Sequence, residues 1–381
     1  MTVYFDNAAT TPLDPEVLDA MLPFLRDHYG NPSSIHGHGR QVRAALEHAR
    51  KTVAQLINAA PAEIHFTSGG TEADNYAAFG SVRTLGIRHA VTSPLEHHAV
   101  LHTLQALEKS GVIQLSYLRH DAHGRFDLGH LDELLAGHTG RTFVSLMHAN
   151  NEIGNLNDIA AIGDICARHN AVFHTDTVQT MGHYRHDVQQ LKNHFLVGSA
   201  HKFHGPKGVG FLYRRSGLLV DAFIHGGSQE RNQRAGTENV YGIVGLAKAL
   251  EIAYRDMAAH QQHIQGLKDR FIAKLQQEVD GVEFNGTSAV ATESLYTVLS
   301  VSLPPSELNE MLLFNLDINH VSVSGGSACT SGAQAGSHVL AALGCDLDRG
   351  TIRFSMSKYN TADEVDYAVE QLAKMYRKVA V

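Results

Sequence analysis

The sequence is short of several things, and each shortage excludes something. It has 3 cysteines and no tryptophan among 381 residues. Three thiols, Cys166, Cys329 and Cys345, are too few to staple a chain of this length, so a disulfide scaffold is excluded and a reducing compartment is expected. No apolar run approaches the ~18 to 20 residues that cross a bilayer. The opening stretch MTVYFDNAATTPLDP has no basic segment followed by an apolar one, so no signal or transit peptide is read there and the cytoplasm is the expected location. Charge of one sign never accumulates: the formal net charge is −8 with no block of like charges, which argues against a nucleic-acid or anionic-membrane surface. Neither G-x-x-x-x-G-K-[ST] nor a helix-opening G-x-G-x-x-G occurs, so nucleotide chemistry is not expected. The 26 histidines include no H-E-x-x-H, and the spacing of His201 and His204 is one that chance supplies, so no metal is assigned.

What is present begins with length, which exceeds the ~250 to 300 residues at which a single core stops growing and so predicts two domains. From Ile64 to Tyr213, short apolar runs alternate with amphipathic stretches. EIHFTSG, RHAVTS, VIQLSYL, RTFVSLMHA, AVFHTD, HFLVGSA and GVGFLY read as strands, with helical periods between most of them, such as Ile159, Ile162, Ile165 and Cys166. This alternation predicts an α/β domain with a largely parallel sheet covered on both faces. Before it, Val42, Leu46, Ala49, Val53 and Leu56 recur at helical spacing. Past about Tyr241 the pattern changes to two long helical stretches reaching Val279, then GVEF, YTVLSVSL, HVSVS and TIRFSM, and a last helix from Ala362. That is the pattern of a smaller α+β domain, with the boundary near residues 240 to 260.

Ligands of open α/β sheets gather outside the carboxyl ends of the strands, and four stretches fall there. In FTSGGTEADN a strand turns through Gly69 and Gly70 into a helix beginning near Thr71, which makes either an anion site or an ordinary helix start capped by Ser68 or Thr71. AVFHTDTVQ ends an apolar strand on Asp176, a carboxylate that must be paired or face a polar ligand. In VGSAHKFHGPKGVGFLY, Lys202 follows an apolar strand and is placed to act as a nucleophile, whereas Lys207 sits in a solvated turn. PLEHHAVL starts a further helix at His97 or His98. An anion cradle, an aspartate and a strand-end lysine resemble the parts that hold pyridoxal phosphate, whose ring then serves as an electron sink. Cys166 and Cys345 read as inert thiols. Cys329 differs, because VSGGSACTSGAQAG gives it almost nothing to pack against.

The chain resembles the NifS/IscS-like cysteine desulfurases of the fold-type-I (aspartate aminotransferase-like, aminotransferase class V) group of pyridoxal-phosphate enzymes. The similarity is carried by YFDNAATTP, GNPSSIHGHGR, FTSGGTEADN, EHHAVL, NNEIG, HTDTVQ, SAHKFHGPKG, GGSQERNQRAGTEN and GSACTSG followed by SHVLAALG, and runs nearly end to end. It implies a large domain over 15–255 with a mainly parallel seven-stranded sheet, and a small α+β domain from 1–14 and 256–381 that carries the Cys329 loop. It also implies a homodimer that binds pyridoxal 5'-phosphate. Carried over by position, Lys202 is the Schiff-base lysine, Asp176 the partner of the ring nitrogen and Gln179 the donor to the ring phenolate oxygen. His97 stacks on the ring. Gly70, Thr71, Ser199 and His201 hold the phosphate, with Thr237 reaching it from the other subunit. Asn151, which also lies against the cofactor, and Arg353 bind the substrate carboxylate.

The implied reaction takes sulfur from L-cysteine and leaves L-alanine, with Lys202 moving the Cα proton, His97 as base for the substrate thiol and Cys329 receiving the sulfur as a persulfide. A sulfur-acceptor protein, either an iron–sulfur scaffold or a thiolation protein, would take it onward. Three departures accompany the resemblance. SGATES of the family is SGGTEA here, HVDAAQ is HTDTVQ, and SLGR after the substrate arginine is SMSK, Ser355 to Lys358. The chain also ends at Val381 without the longer tail with which some relatives dock an iron–sulfur scaffold, so the acceptor is not specified. Selenocysteine lyase or transaminase activity on the same cofactor is the alternative chemistry, and neither requires the Cys329 loop.

Overall fold

Seven short strands form the central sheet, in the order Ile64–Thr67, Gly210–Arg214, Phe195–Ser199, Val172–Asp176, Thr142–Ser145, His89–Thr92, Gln114–Tyr117. These are the seven strands that alternation predicts. All run in one sense except Gly210–Arg214, which is antiparallel to both its neighbours. The central strands are buried at every position, as helices on both faces require. The computed structural model describes residues 1–325, 336–346 and 348–376.

On one face, the helices Gly70–Leu85 and His98–Lys109 bury Ala73, Tyr76, Ala77, Val100 and Leu104 against Phe143, Val172 and Phe195. On the other, Leu131 and Leu135 pack with Ile159, Ile162 and Cys166 beneath Val144 and Phe173. The helix Gly37–Leu56 buries Val42, Leu46, Ala49 and Val53 as its period predicts, leaves Leu56 half-buried, and lies against the helix Val240–Arg255. That helix stops at Asp256, where the backbone leaves helical geometry before Met257–Glu278 begins.

The C-terminal part has its own core. An antiparallel sheet of Gly350–Ser355, Val298–Leu303 and Glu283–Phe284 packs Leu299, Val301, Ile352 and Phe354 against Phe271 and Leu372 of the flanking helices. Val3 and Phe5 belong to this core, because Val3–Tyr4 pairs in parallel with Val321–Ser322. The chain then crosses from Asp6 to Pro12 toward the main sheet, where the Thr11 N–H donates to the His201 carbonyl. No helix among the described residues is long and apolar enough to cross a membrane.

Candidate active site

A cavity of about 270 Å³ opens at the carboxyl ends of the central strands. Its first wall is the start of the helix Gly70–Leu85. Gly69 is the N-cap, at φ 158°, and no side chain caps this helix. Neither Ser68 nor Thr71 therefore fills the role a capped start requires, and the unfilled first N–H groups remain an anion site. A Cβ at Gly70 would stand 2.8 Å from Val178 Cγ2, so glycine lets the backbone lie this close to the loop that follows Val172–Asp176. The Thr71 and Ser199 side chains line the same wall.

The floor is acidic. Asp176 ends its strand with Oδ1 accepting from the Val178 N–H at 2.8 Å. Burial pushes its pKa up, and the Lys202 charge opposes that shift. Lys202 leaves a short 3-10 turn, Ala200–Lys202, and its Nζ donates to the carbonyls of Ala8 and Ala9. Gln179 Nε2 donates to the same Ala8 carbonyl at 3.0 Å, which leaves its second N–H for a ligand. The segment after the N-terminal strand is thus part of the site.

His97 and His201 are neutral rings. His97 is the N-cap of His98–Lys109, and its Nδ1 accepts from the Ala99 N–H at 3.1 Å, which puts its proton on Nε2. Burial, with the Lys202 charge, lowers its pKa to about 4. Burial and the same lysine lower His201 to about 4, and its Nδ1 lies 3.2 Å from Thr10 Oγ1.

Across the cavity, Arg353 comes from the strand Gly350–Ser355 of the C-terminal core. It is 2% exposed, donating from Nη1 to the Asn151 carbonyl at 2.9 Å and from Nη2 to Asp6 Oδ1 at 2.8 Å, while Nε has no partner among the described residues. The SMSK departure does not reach this corner. Ser357 bonds to Asn360, and Lys358 pairs with Asp14 on the far side of the N-terminal segment.

Of the residues singled out from the sequence, Gly70, Thr71, His97, Asn151, Asp176, Gln179, Ser199, His201, Lys202 and Arg353 all line this one cavity. Thr237 does not; it is exposed on a separate cavity beside Arg234 and Glu238. Cys329 lies outside the described residues. Cys166 is fully buried, with its thiol pushed up to about 12, and Cys345 is half-buried and also raised by burial, so both are inert.

The cavity also has walls to which the sequence reading gave no role: Asp74, His98, Glu152 and His338. Asp74 and His174 form a buried pair, with Oδ1 and Nε2 3.3 Å apart, and His174 Nδ1 lies 2.8 Å from Ser145 Oγ. Strand alternation places His174 on the same face as Asp176. That spacing was the available signal for His174, and helical position on Gly70–Leu85 was the signal for Asp74.

Residues 3–368 match the aminotransferase class-V family. The chain is 43% identical to a cysteine desulfurase IscS of Dictyoglomus turgidum, covering 99% of this chain and 95% of the relative. It is 42% identical to a putative cysteine desulfurase, IscS 1, of Bacillus subtilis, covering 99% of both. Among solved structures, a NifS-like protein superposes with a TM-score of 0.90 at 37% identity, covering 98% of this chain and 99% of the other. SspA in complex with cysteine superposes at 0.82 with 30% identity, covering 94% of this chain and all of the other. The chain belongs to the aminotransferase class-V family, on the branch of the IscS- and NifS-like cysteine desulfurases.

Proposed function

We propose that this protein is a pyridoxal-phosphate-dependent cysteine desulfurase that takes sulfur from L-cysteine, releases L-alanine and holds the sulfur as a Cys329 persulfide. The observation that carries the reading is one cavity joining an uncapped helix N-terminus, Lys202, a buried carboxylate at Asp176 and an arginine, in a chain whose relatives are cysteine desulfurases.

The donor set fits the cofactor. A phosphate suits the uncapped turn at Gly69 and Gly70, where a Cβ on Gly70 would clash, with the Thr71 and Ser199 side chains beside it. Asp176, buried and raised in pKa, is stabilised as a carboxylate by a cationic ring nitrogen. Gln179 has an N–H to spare and would donate it to the ring oxygen, and His97, a neutral ring lining the same cavity, would pack against the ring. Bound there, pyridoxal phosphate supplies the electron sink for breaking the Cα–H bond of an amino acid. Lys202 would anchor the cofactor and carry the Cα proton. Arg353 and Asn151 hold the substrate carboxylate, with Asp6 fixing the guanidinium plane. The Cys329 thiolate attacks the substrate sulfur: an S–S bond forms, the Cβ–S bond breaks, and the electron pair left on carbon takes up a proton to give alanine.

The working unit is a homodimer. Its support is the helix Pro15–Arg26, which turns Val17 and Met21 to the core and leaves Leu18, Leu22 and Leu25 exposed, continued by Tyr29 and Ile35. Thr237, outside its own chain's cavity, serves the partner's site in this arrangement. The domains divide as 15–255 and 1–14 with 256–381, and a sulfur-acceptor protein receives the persulfide sulfur for iron–sulfur cluster assembly or thiolation. The reading is tested by measuring alanine released from L-cysteine by cofactor-loaded protein with a reductant present, beside Cys329→Ser and Lys202→Ala. Release by the native protein and loss in both variants is expected; a loaded native protein that yields no alanine would sink the reading.

A further inference from the structure

The proposed reaction needs a base for the substrate thiol, and the hydrogen bonds of the cavity decide which histidine is in the right form to be one. His97 is not. Its Nδ1 lone pair is committed to the Ala99 N–H, so Nε2 carries the proton and the ring meets the cavity as a donor.

His98 is next in the chain and lines the same cavity. Its tautomer follows from a chain of bonds that starts at an atom with no choice. The Glu96 carbonyl can only accept, and His338 Nε2 lies 3.0 Å from it, so His338 carries its proton on Nε2. The neutral His338 ring therefore has a lone pair on Nδ1. That atom lies 3.0 Å from His98 Nε2, which must donate. His98 then keeps its lone pair on Nδ1, where no hydrogen bond occupies it among the described residues. Two further rings hold His98 in place, with His102 stacked at 4.4 Å and His338 tilted at 4.4 Å. The titratable groups around His98 are His97, His102 and His338, and the Glu152 carboxyl lies on the same Nδ1 side of His338 as His98. Glu152 Oε1, buried and without a hydrogen bond among the described residues, lies 3.9 Å from His338 Nδ1, and its Oε2 accepts from the Ser337 hydroxyl.

We propose that His98, through His338 and Glu152, is the base that removes the proton from the substrate thiol, an inference that rests on the desulfurase reading above. The S–H bond breaks, its electron pair stays on sulfur, and the proton forms a bond to His98 Nδ1. His98 Nε2–H can then pass its proton to His338 Nδ1, which brings the positive charge beside Glu152. No oxidant or reductant is consumed. Burial, with the neighbouring histidines, lowers His98 to about 4, so the ring is neutral at neutral pH, with its Nδ1 lone pair available. His338 is a positioning and relay residue, since it acts through His98.

The test uses full-length, cofactor-loaded protein in single turnovers with L-cysteine from pH 6 to 9. In His98→Gln an amide N–H replaces Nε2–H, keeping the bond to His338 and removing only the base. The first-turnover rate of alanine formation is expected to fall roughly 100-fold with little change in the half-saturating cysteine concentration. Histidine side-chain ¹⁵N spectra of the native loaded protein, with His98 and His97 signals identified by their loss in single variants, should place the proton of each ring on Nε2. His98→Gln within about twofold of an active native enzyme, or a His98 ring protonated on Nδ1, overturns the proposal while leaving the desulfurase reading intact. A native protein that forms no alanine removes both.

Discussion

Two groups of buried charge lie about this sheet, and they are built on opposite principles. Under the turn Glu230–Asn232, Glu230 takes a bidentate grip from Arg50, at 2.7 and 2.9 Å, and accepts the Phe66 N–H as well. Arg50 also donates to the Ile64 carbonyl and lies over the Phe66 ring. Around the cavity, Asp74, Glu96 and Asp176 are buried just as deeply, yet each has its pKa raised, burial being the main cause. One oxygen of Asp74 and one of Glu96 have no hydrogen bond among the described residues. Charge that serves the fold is closed on itself. Charge that serves a ligand is left short of partners and costs stability until the ligand arrives.

The strongest way to break this contrast is to remove the cation that opposes Asp176. Lys202→Ala should reduce alanine release from L-cysteine by at least about 1000-fold, since it deletes both the cofactor anchor and the Cα acid–base group. Urea unfolding of the variant without cofactor should differ from native by no more than about 1 kcal/mol, because a partly exposed lysine is not a core element. A variant that loses activity only by unfolding would show the site to be structural.

The converse change attacks the closed pair. Glu230→Ala leaves Arg50 buried with its main partner gone and should cost about 3–5 kcal/mol, read as a lower urea midpoint. Three consecutive non-glycine residues, Glu230, Arg231 and Asn232, hold positive φ here, and the ion pair is what pins them. Loss of less than about 1 kcal/mol would mean that water reaches Arg50 and that the two groups differ less than their burial suggests.

This pair also shows what sequence can and cannot record. Strands such as Val172–Asp176 were legible because burial on both faces forces continuous apolar residues, and the turn after Ile64–Thr67 because a Cβ at Gly70 would clash. Lys202 and Asp176 were legible because a charge at the end of an apolar strand contradicts its surroundings. Glu230 was not, since GGSQERNQRAGTEN has no apolar period and reads as a solvated loop; its partner is 180 residues away. The pairing of Asp6 with Arg353, 347 residues apart, is hidden for the same reason. The His98 tautomer was hidden differently: it depends on which atom faces the Glu96 carbonyl, and residue type alone does not carry that.

Asp74 sharpens the contrast through pH. Its pKa is raised by burial and by the charges of Asp176 and Glu96, so the folded state holds a proton that the unfolded chain releases above its ordinary carboxylate pKa. This acid is therefore without cost at low pH and increasingly destabilising as pH rises toward its folded value. Asp74→Asn, which cannot ionise, should stabilise the cofactor-free protein at pH 7 and leave stability near pH 4 almost unchanged, read from urea unfolding at the two pH values. A destabilised variant at pH 7 would mean that Asp74 is held ionised against His174.

Asp14 gives the smallest effect and the opposite sign. Burial alone would raise it, but hydrogen bonds from Lys358, Tyr359 and the Glu16 N–H, with the Lys358 charge, outweigh burial and hold it below the usual range. A depressed carboxylate adds stability above its unfolded pKa and loses it as pH falls through the folded value, so the Asp14 contribution is full at neutral pH and gone in strong acid. Lys358→Ala should then cost on the order of 1 kcal/mol at pH 7, less in high salt, with the difference from native closing as pH drops below about 4. Lys358 belongs to the SMSK stretch that departs from the family, yet it bridges the C-terminal core to the cap of Pro15–Arg26 and not to the cavity. Alanine release by folded Lys358→Ala should accordingly stay within about twofold of native. A larger loss would place this ion pair among the charges that serve the ligand, because Lys358 follows the strand that carries Arg353, and would erase the division on which the comparison rests.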